Sequence, residues 1–359
     1  MRLGILGTGM YVFGAGIGSG TIAKSVDQLL DSDDIIDILG RSSANVDKSI
    51  PFYNIGDIQQ SQELLADYIT QNKPDGIIIS LPDQLHYVAL KTCLSFKVPC
   101  LVVKPFVENN EQAEELLKIS SSVGVDAFVE FHKRFDIQNK WIKHQFQSGS
   151  IGRISSINVN YSQKIIIPTK VFSSWVSQTN IFQYLGVHYV DLIYWITGYT
   201  PVEVIAIPVF GLLKEEHNLD TPDSIICHIK WVSPNGSKDF MSTLNIGWVD
   251  NNSSPAMSDQ RMWIKASKST IELDQMSRGF KVSNKNGYHY PNPYFSDFVS
   301  NEESSEYQGY AVQSIKSFLD TIDGNRHGDM CDINQALISV RVTSAVNKAL
   351  KDNAGWVKV

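Results

Sequence analysis

The chain has 359 residues, room at about 150 per domain for two domains with cores of their own, which excludes peptide hormones, knottins and fibrous repeats. Its 31 Lys and Arg against 38 Asp and Glu leave a net charge of −7, a surface that repels phosphate backbones and excludes a general DNA or RNA binder. With 43% hydrophobic and 19% charged residues the composition is that of a folding chain and not of a disordered one.

The first segment, Leu3 to Ala23, carries no charge and follows Met1-Arg2, as a signal peptide or membrane span would. Seven of its 21 residues are glycine, each costing a helix interior about 1 kcal/mol relative to alanine, so no membrane role is expected. From there short apolar runs alternate with helical stretches: Leu3–Leu6, Ile35–Leu39, Gly76–Leu81, Cys100–Val103 and Ala127–Phe131 read as strands. Ile22, Val26, Leu29 and Leu30 fall at helical spacing between them, and Leu116, Leu117 and Ile119 lead to a stop at Gly124. Alternation of this kind predicts a doubly wound parallel sheet, an α/β Rossmann-type domain over residues 1–131.

Beyond it the pattern changes to longer alternating segments, Ile154–Tyr161, Val202–Val209, Ser224–Val232, Asp239–Trp248, Arg261–Lys265, Thr270–Leu273 and Phe280–Ser283. A helix is written around Gly186–Thr197, and a terminal one in which Asp332 caps a stripe of Leu337, Val340, Ala345 and Ala349. Residues 132–359 are therefore expected to form an α+β domain with a large, mostly antiparallel open sheet, closely packed on the first across a cleft. The exposed face of such a sheet makes a homo-oligomer, dimer or tetramer, the expected state. Cys93, Cys100, Cys227 and Cys331 form no C-x-x-C pair, which removes zinc-ribbon and disulfide frameworks and fits a reducing, cytoplasmic setting.

The first strand runs into Gly7-Thr8-Gly9, where one glycine permits the tight turn and a second lets backbone approach a pyrophosphate at the next helix start. The third glycine of G-x-G-x-x-G is missing: residue 12 is Val12, and the nearest substitute is Gly14. A second glycine run, Gly18 to Ser25, falls short of a Walker A loop because Ala23 precedes Lys24 and no strand leads into it, so Lys24 is expected on a solvated helix face. The second strand ends Leu39-Gly40-Arg41-Ser42-Ser43, with no carboxylate at its tip for a ribose 2′-hydroxyl but a guanidinium and hydroxyls suited to a phosphate. NADP is therefore the preferred cofactor over NAD; the rival, Asp37 as ribose acceptor, lies inside the strand.

Several stretches in order resemble the Gfo/Idh/MocA family of sugar-type oxidoreductases. Ser80-Leu81-Pro82-Asp83-Gln84-Leu85-His86 is similar to its T-P-N-x-x-H, and Val103-Lys104-Pro105 to its E-K-P. Glu130-Phe131-His132-Lys133-Arg134-Phe135 and Ile151-Gly152-Arg153-Ile154 look like its domain-junction segments, and Gly186-Val187-His188-Tyr189-Val190-Asp191 like its G-x-H-x-x-D helix. Two acidic positions depart: Val103 stands for the glutamate of E-K-P, and Tyr184 for the aspartate four residues before the histidine. The resemblance implies cofactor contacts from Gly7, Thr8, Gly9, Met10, Arg41, Ser42, Ser80, Leu81, Pro82, His86 and Lys104. It implies further that Lys104 lies near the nicotinamide and the reacting hydroxyl, that His188 faces it, and that Trp175, Asn180 and Gln183 line a sugar pocket.

Hydride transfer between a secondary alcohol and nicotinamide needs one group to move the hydroxyl proton and another to steady the alkoxide-like oxygen. With an ordinary pKa near 6.5, His188 suits the first task, and the Lys104 ammonium the second. Tyr184, one helical turn before His188, either replaces the missing aspartate by hydrogen bonding or gives the proton itself. His217 and Asp220, two ligand types without a third, make no metal site. The expected function is an NAD(P)-dependent oxidoreductase acting on a sugar, cyclitol or nucleotide-sugar; the alternative is a non-catalytic NADP-binding regulator on the same fold, motivated by Val103 and Tyr184.

Overall fold

The computed structural model describes residues 1–14, 20–60, 62–285, 287–300, 305–326, 328–352 and 355–359. The chain begins with Arg2–Leu6 (β1), Met10–Phe13 (α1), Thr21–Leu29 (α2), Ile35–Gly40 (β2), Phe52–Asn54 (β3), Gln62–Asn72 (α3) and Gly76–Ile79 (β4). It continues with His86–Ser95 (α4), Cys100–Val103 (β5), Asn110–Val123 (α5) and Ala127–Glu130 (β6). These strands pair in parallel in the order β6-β5-β4-β1-β2-β3. Parallel strands buried on both faces read as unbroken apolar runs, and in β4 Ile77, Ile78 and Ile79 are all 0 to 1% exposed. The short β3 has no such run, which is why the sequence did not announce it.

Next come Ile137–Gln147 (α6), Ile154–Lys164 (β7), Val187–Thr197 (α7), Thr200–Val209 (β8), Leu212–His217 (α8), Ser224–Val232 (β9), Asp239–Asp250 (β10), Ser258–Ala266 (β11) and Thr270–Asp274 (β12). Here burial alternates, as in β9, where Ile225, Cys227, Ile229 and Trp231 are buried and the residues between them are not. One face is packed and the other is open, so the period is two. The order β12-β11-β7-β10-β9-β8 is antiparallel except where β7 runs parallel to β10. The run expected at Phe280–Ser283 does not join this sheet: Val282–Asn284 (β13) pairs with Gly287–His289 (β14) as a separate hairpin.

The chain closes with Asp297–Ser300 (β15), Ser305–Gln308 (β16), Tyr310–Ile322 (α9), Cys331–Asp332 (β17), Ile333–Asp352 (α10) and Val357–Lys358 (β18). Two units result, Met1–Asp136 with Pro293–Leu337, and Ile137–Asn292 with Ile338–Val359. The boundary expected between residues 131 and 132 is thus displaced, because the chain returns to its first core. Ile315, Phe318 and Leu319 of α9 enter the cluster of Leu3, Ile5, Ile78, Leu101 and Phe128, and β17 adds antiparallel to β6. Arg134, 1% exposed, donates to Gln335 Oε1 at 2.6 Å and ties the 132–135 turn to the same unit. No helix among the described residues is long and apolar enough to cross a membrane.

Candidate functional site

The first unit gathers its candidate residues at the carboxyl ends of β1, β2, β4, β5 and β6, the edge where parallel sheets bind ligands. Gly7 leaves β1 at φ +127°, and a Cβ there would stand 2.1 Å from the carbonyl oxygen of Ser80. Its N–H donates to Leu39 O (2.9 Å), so the turn is locked between β2 and the segment after β4. Gly9, exposed and with an ordinary φ of −81°, precedes α1; a Cβ on it would meet nothing within 4 Å. Open space over a helix start, where backbone N–H groups lack intrahelical acceptors, fits the pyrophosphate of a dinucleotide.

The missing third glycine has a structural answer. Val12 is fully buried in the core, and α1 stops after one turn at Gly14. The close approach falls instead to Gly20, at φ +64°, where a Cβ would lie 3.0 Å from Phe13 C and Gly14 N. Residues 15–19, including Gly18 and Ser19 of the Walker-like run, lie outside the described residues. Lys24 is exposed on α2, its Nζ 5.5 Å from the Tyr307 ring centre and 5.9 Å from that of Phe298.

At the tip of β2, Arg41 and Ser42 are exposed, and Asn45 Nδ2 donates to Thr8 O (3.2 Å), which places this tip beside the glycine turn. Asp37 is fully buried and committed elsewhere: Arg2 Nε donates to it at 2.6 Å and Tyr68 Oη at 2.8 Å.

Ser80, Leu81 and Pro82 follow β4 and are half-buried. His86, expected to touch the cofactor, is corrected: its ring is fully buried, with Nδ1 2.7 Å from Pro105 O and Nε2 2.9 Å from Leu81 O. It staples the two segments together, and burial lowers its pKa against the pull of Asp83 and the two carbonyls. Lys104 follows β5, half-buried, joined to Pro105 by a cis peptide. Burial brings its pKa down to about 8, opposed by the carboxylates of Asp83 and Glu130.

Glu130 was not among the expected site residues. It ends β6 in register with Val103, is 3% exposed, accepts from Tyr11 Oη (3.2 Å) and lies 3.0 Å from His132 Nδ1. A carboxylate acceptor there selects the Nδ1–H form of His132. The signal available was a glutamate at the end of a parallel strand.

In the second unit Phe182–Gly186 forms a π-helical turn that runs into α7, an irregularity frequent at functional sites. Its wider winding voids the α-helical spacing assumed between Tyr184 and His188. The Tyr184 ring packs on Phe172 (4.7 Å, edge-on) and 6.4 Å from Trp248, whereas the His188 ring lies 6.3 Å from that of Tyr161, and His188 is 3% exposed. Trp175 joins the same aromatic group at 4.4 Å from Phe172, and Gln183 is buried within the π turn. Asn180, expected to read sugar hydroxyls, is half-buried and caps that turn: its Oδ1 accepts from Phe182 N and Gln183 N (both 3.0 Å), and its Nδ2 donates to Asn347 Oδ1 (2.8 Å).

A sequence profile for an oxidoreductase family with an NAD-binding Rossmann fold matches residues 1–131, and one for the GFO/IDH/MocA C-terminal domain matches residues 140–272. A Bacillus subtilis protein named as an oxidoreductase, YteT, is 24% identical over 174 residues, 46% of this chain and 41% of that protein. Inositol 2-dehydrogenase of Corynebacterium glutamicum strain R is 24% identical over 150 residues, 39% and 40% of the two chains. The chain spans about two-fifths of the length of these curated relatives. Among solved structures, scyllo-inositol dehydrogenase from Lactobacillus casei, with bound NAD(H) and scyllo-inositol, matches with a TM-score of 0.74 at 15% identity, over 99% of this chain and 98% of that one. Myo-inositol 2-dehydrogenase from Lactobacillus plantarum matches with a TM-score of 0.75 at 14% identity, over 100% and 99%. At such identities the likeness is one of fold.

Proposed function

The chain belongs to the Gfo/Idh/MocA family of NAD-binding oxidoreductases, and we propose that it transfers a hydride between nicotinamide and a secondary hydroxyl or ketone of a sugar, cyclitol or nucleotide-sugar. The observation that carries this reading is Lys104, a half-buried amine with its pKa near 8 at the end of a central parallel strand. An ammonium so placed stabilises negative charge developing on a substrate oxygen. The inositol dehydrogenases among the relatives support the substrate class.

The cofactor, when bound, supplies or accepts the hydride. Gly7, Thr8, Gly9 and Met10 take its pyrophosphate; Ser80, Leu81 and Pro82 border it, and His86 holds Leu81 and Pro105 in place behind them. His188, on the second unit, moves the hydroxyl proton, an assignment resting on the G-x-H-x-x-D pattern and on its seat at the start of α7. Tyr184 is a second proton-bearing group, and Trp175 and Gln183 supply an aromatic face and an amide for a sugar.

Arg41 and Ser42, with Asp37 occupied by Arg2 and Tyr68, support NADP over NAD. A kcat/KM favouring NADPH that Arg41→Ala abolishes is the expected result; preference for NADH in the unaltered protein overturns it. Exposure of Ile207, Val209 and Phe210 at 51, 43 and 56% supports a homo-oligomer, which sedimentation velocity tests.

The reaction itself is tested on a cyclitol and sugar panel with His188→Ala and Lys104→Met. Turnover should fall by about 100-fold or more, with cofactor binding to His188→Ala unchanged. Full turnover in either variant removes its residue from the chemistry. No turnover by the unaltered protein on any substrate, with cofactor still bound, supports the regulator in place of the enzyme.

A further inference from the structure

Lys104 follows β5, and β5 lies between β4 and β6 in the sheet. The carboxyl ends of those two neighbours each bring a buried carboxylate to the same edge. Asp83, 4% exposed, sits in the turn after β4. Glu130, 3% exposed, ends β6 directly beside Val103 in the parallel register. Both are anchored. His86 lies between the carbonyls on either side, Leu81 ahead of Asp83 and Pro105 after Lys104, donating to one of them as the neutral ring and to both as the imidazolium, which keeps the Asp83 turn close to the lysine. Glu130 is held by Tyr11 Oη and by His132.

The two motifs that resemble the family differ from it in a complementary way: position 103 has lost a carboxylate, and position 83, asparagine in T-P-N, has gained one. An ammonium withdrawn from water needs opposite charge close by, or it gives up its proton. We propose that Asp83 and Glu130, reaching in from the two neighbouring strands, jointly hold Lys104 as an ammonium ion and fix its position, replacing the carboxylate absent at residue 103. Both are positioning residues, acting through Lys104. Among the described residues, Asp83 and Glu130 favour the cation at Lys104, and the ammonium in turn disfavours a charge on the buried His86 ring beside it. The inference rests on the reading of Lys104 as the group at the reacting oxygen.

The test uses the whole protein without cofactor. Labelling with acetic anhydride across a pH series, read by mass spectrometry at Lys104, reports its titration independently of turnover. In the unaltered protein the midpoint is expected near pH 8. Glu130→Gln and Asp83→Asn should each lower it by about one unit or more, and the alkaline limb of kcat/KM should move down by the same amount. Adding Val103→Glu to Glu130→Gln should bring both back. Asp83→Asn keeps the test open if the Glu130 variant fails to fold. An unchanged Lys104 midpoint in the single variants overturns the proposal. A shifted midpoint together with full turnover by Lys104→Met supports the charge balance while overturning the functional reading beneath it.

Discussion

Gly7 and Gly9 stand two residues apart and meet opposite constraints. Gly7 combines a left-handed φ with backbone 2.1 Å from where a Cβ would sit, so Gly7→Ala should cost about 3 kcal/mol or more in urea denaturation. Gly9 has neither restriction. Gly9→Ala should leave stability within about 0.5 kcal/mol while weakening cofactor binding at least tenfold in a fluorescence titration, because the new methyl fills the space the pyrophosphate needs. A loss of stability without loss of binding would remove Gly9 from the cofactor site. Lys104 gives a second contrast. Its pKa is about 8 in the folded protein against an ordinary 10.5, so between those values the unfolded chain holds the proton more tightly and stability gains as pH rises. Below pH 8 both states are protonated and the full cost of burying the cation is present. Chemical denaturation from pH 7 to 10.5 should show this rising contribution against Lys104→Met, and parallel curves for the two proteins would contradict it.

Elements in this chain are shaped where a helix rule is broken. With Val12 buried in the core, α1 ends after one turn where Gly14 turns left-handed at φ +77° and its N–H donates to Met10 O, and α2 starts afresh after Gly20. The π turn before α7 is secured from outside itself by Asn180 and Asn347. Asn180→Ala should cost about 1–2 kcal/mol, as loss of a helix cap does. Combined with Asn347→Ala it should cost less than the sum of the two, since they share a bond. Additive losses would mean the pair acts separately. The start of α10 was legible beforehand: Asp332 Oδ1 accepts from Gln335 N at 3.0 Å, the cap that its place before an apolar stripe announced. No local pattern announced the π turn, because nearly every residue from Phe182 to Thr197 is buried and no amphipathic stripe marks where the winding changes.

For the whole molecule, the first unit should respond to cofactor and the second should not do so on its own account. A ligand at 100 times its Kd stabilises the state that binds it by about 2.7 kcal/mol. NADPH should therefore raise the unfolding temperature, with hydrogen-exchange protection centred on Gly7–Met10, the tip of β2 and Ser80–Pro82. Protection confined to residues 137–292 would contradict the assignment. ATP should have no such effect, since Lys24 sits on an ordinary helix beside two aromatic rings.

Sequence by itself determined the class of each sheet, because burial on two faces or one writes itself into runs or alternation. It also placed Lys104, Arg41 and the glycine turn at strand ends, since strand exits are marked by the breakdown of those same patterns. Only the tertiary structure decided that residues 293–337 return to the first core, that His86 lies between two backbone carbonyls and Asn180 caps the π turn, and that the strand order brings Asp83 and Glu130 to the edge that carries Lys104. Each of these depends on neighbours far apart along the chain. Hydrophobic periodicity reports how much of a residue is buried, and it carries no record of which distant strand or helix does the burying.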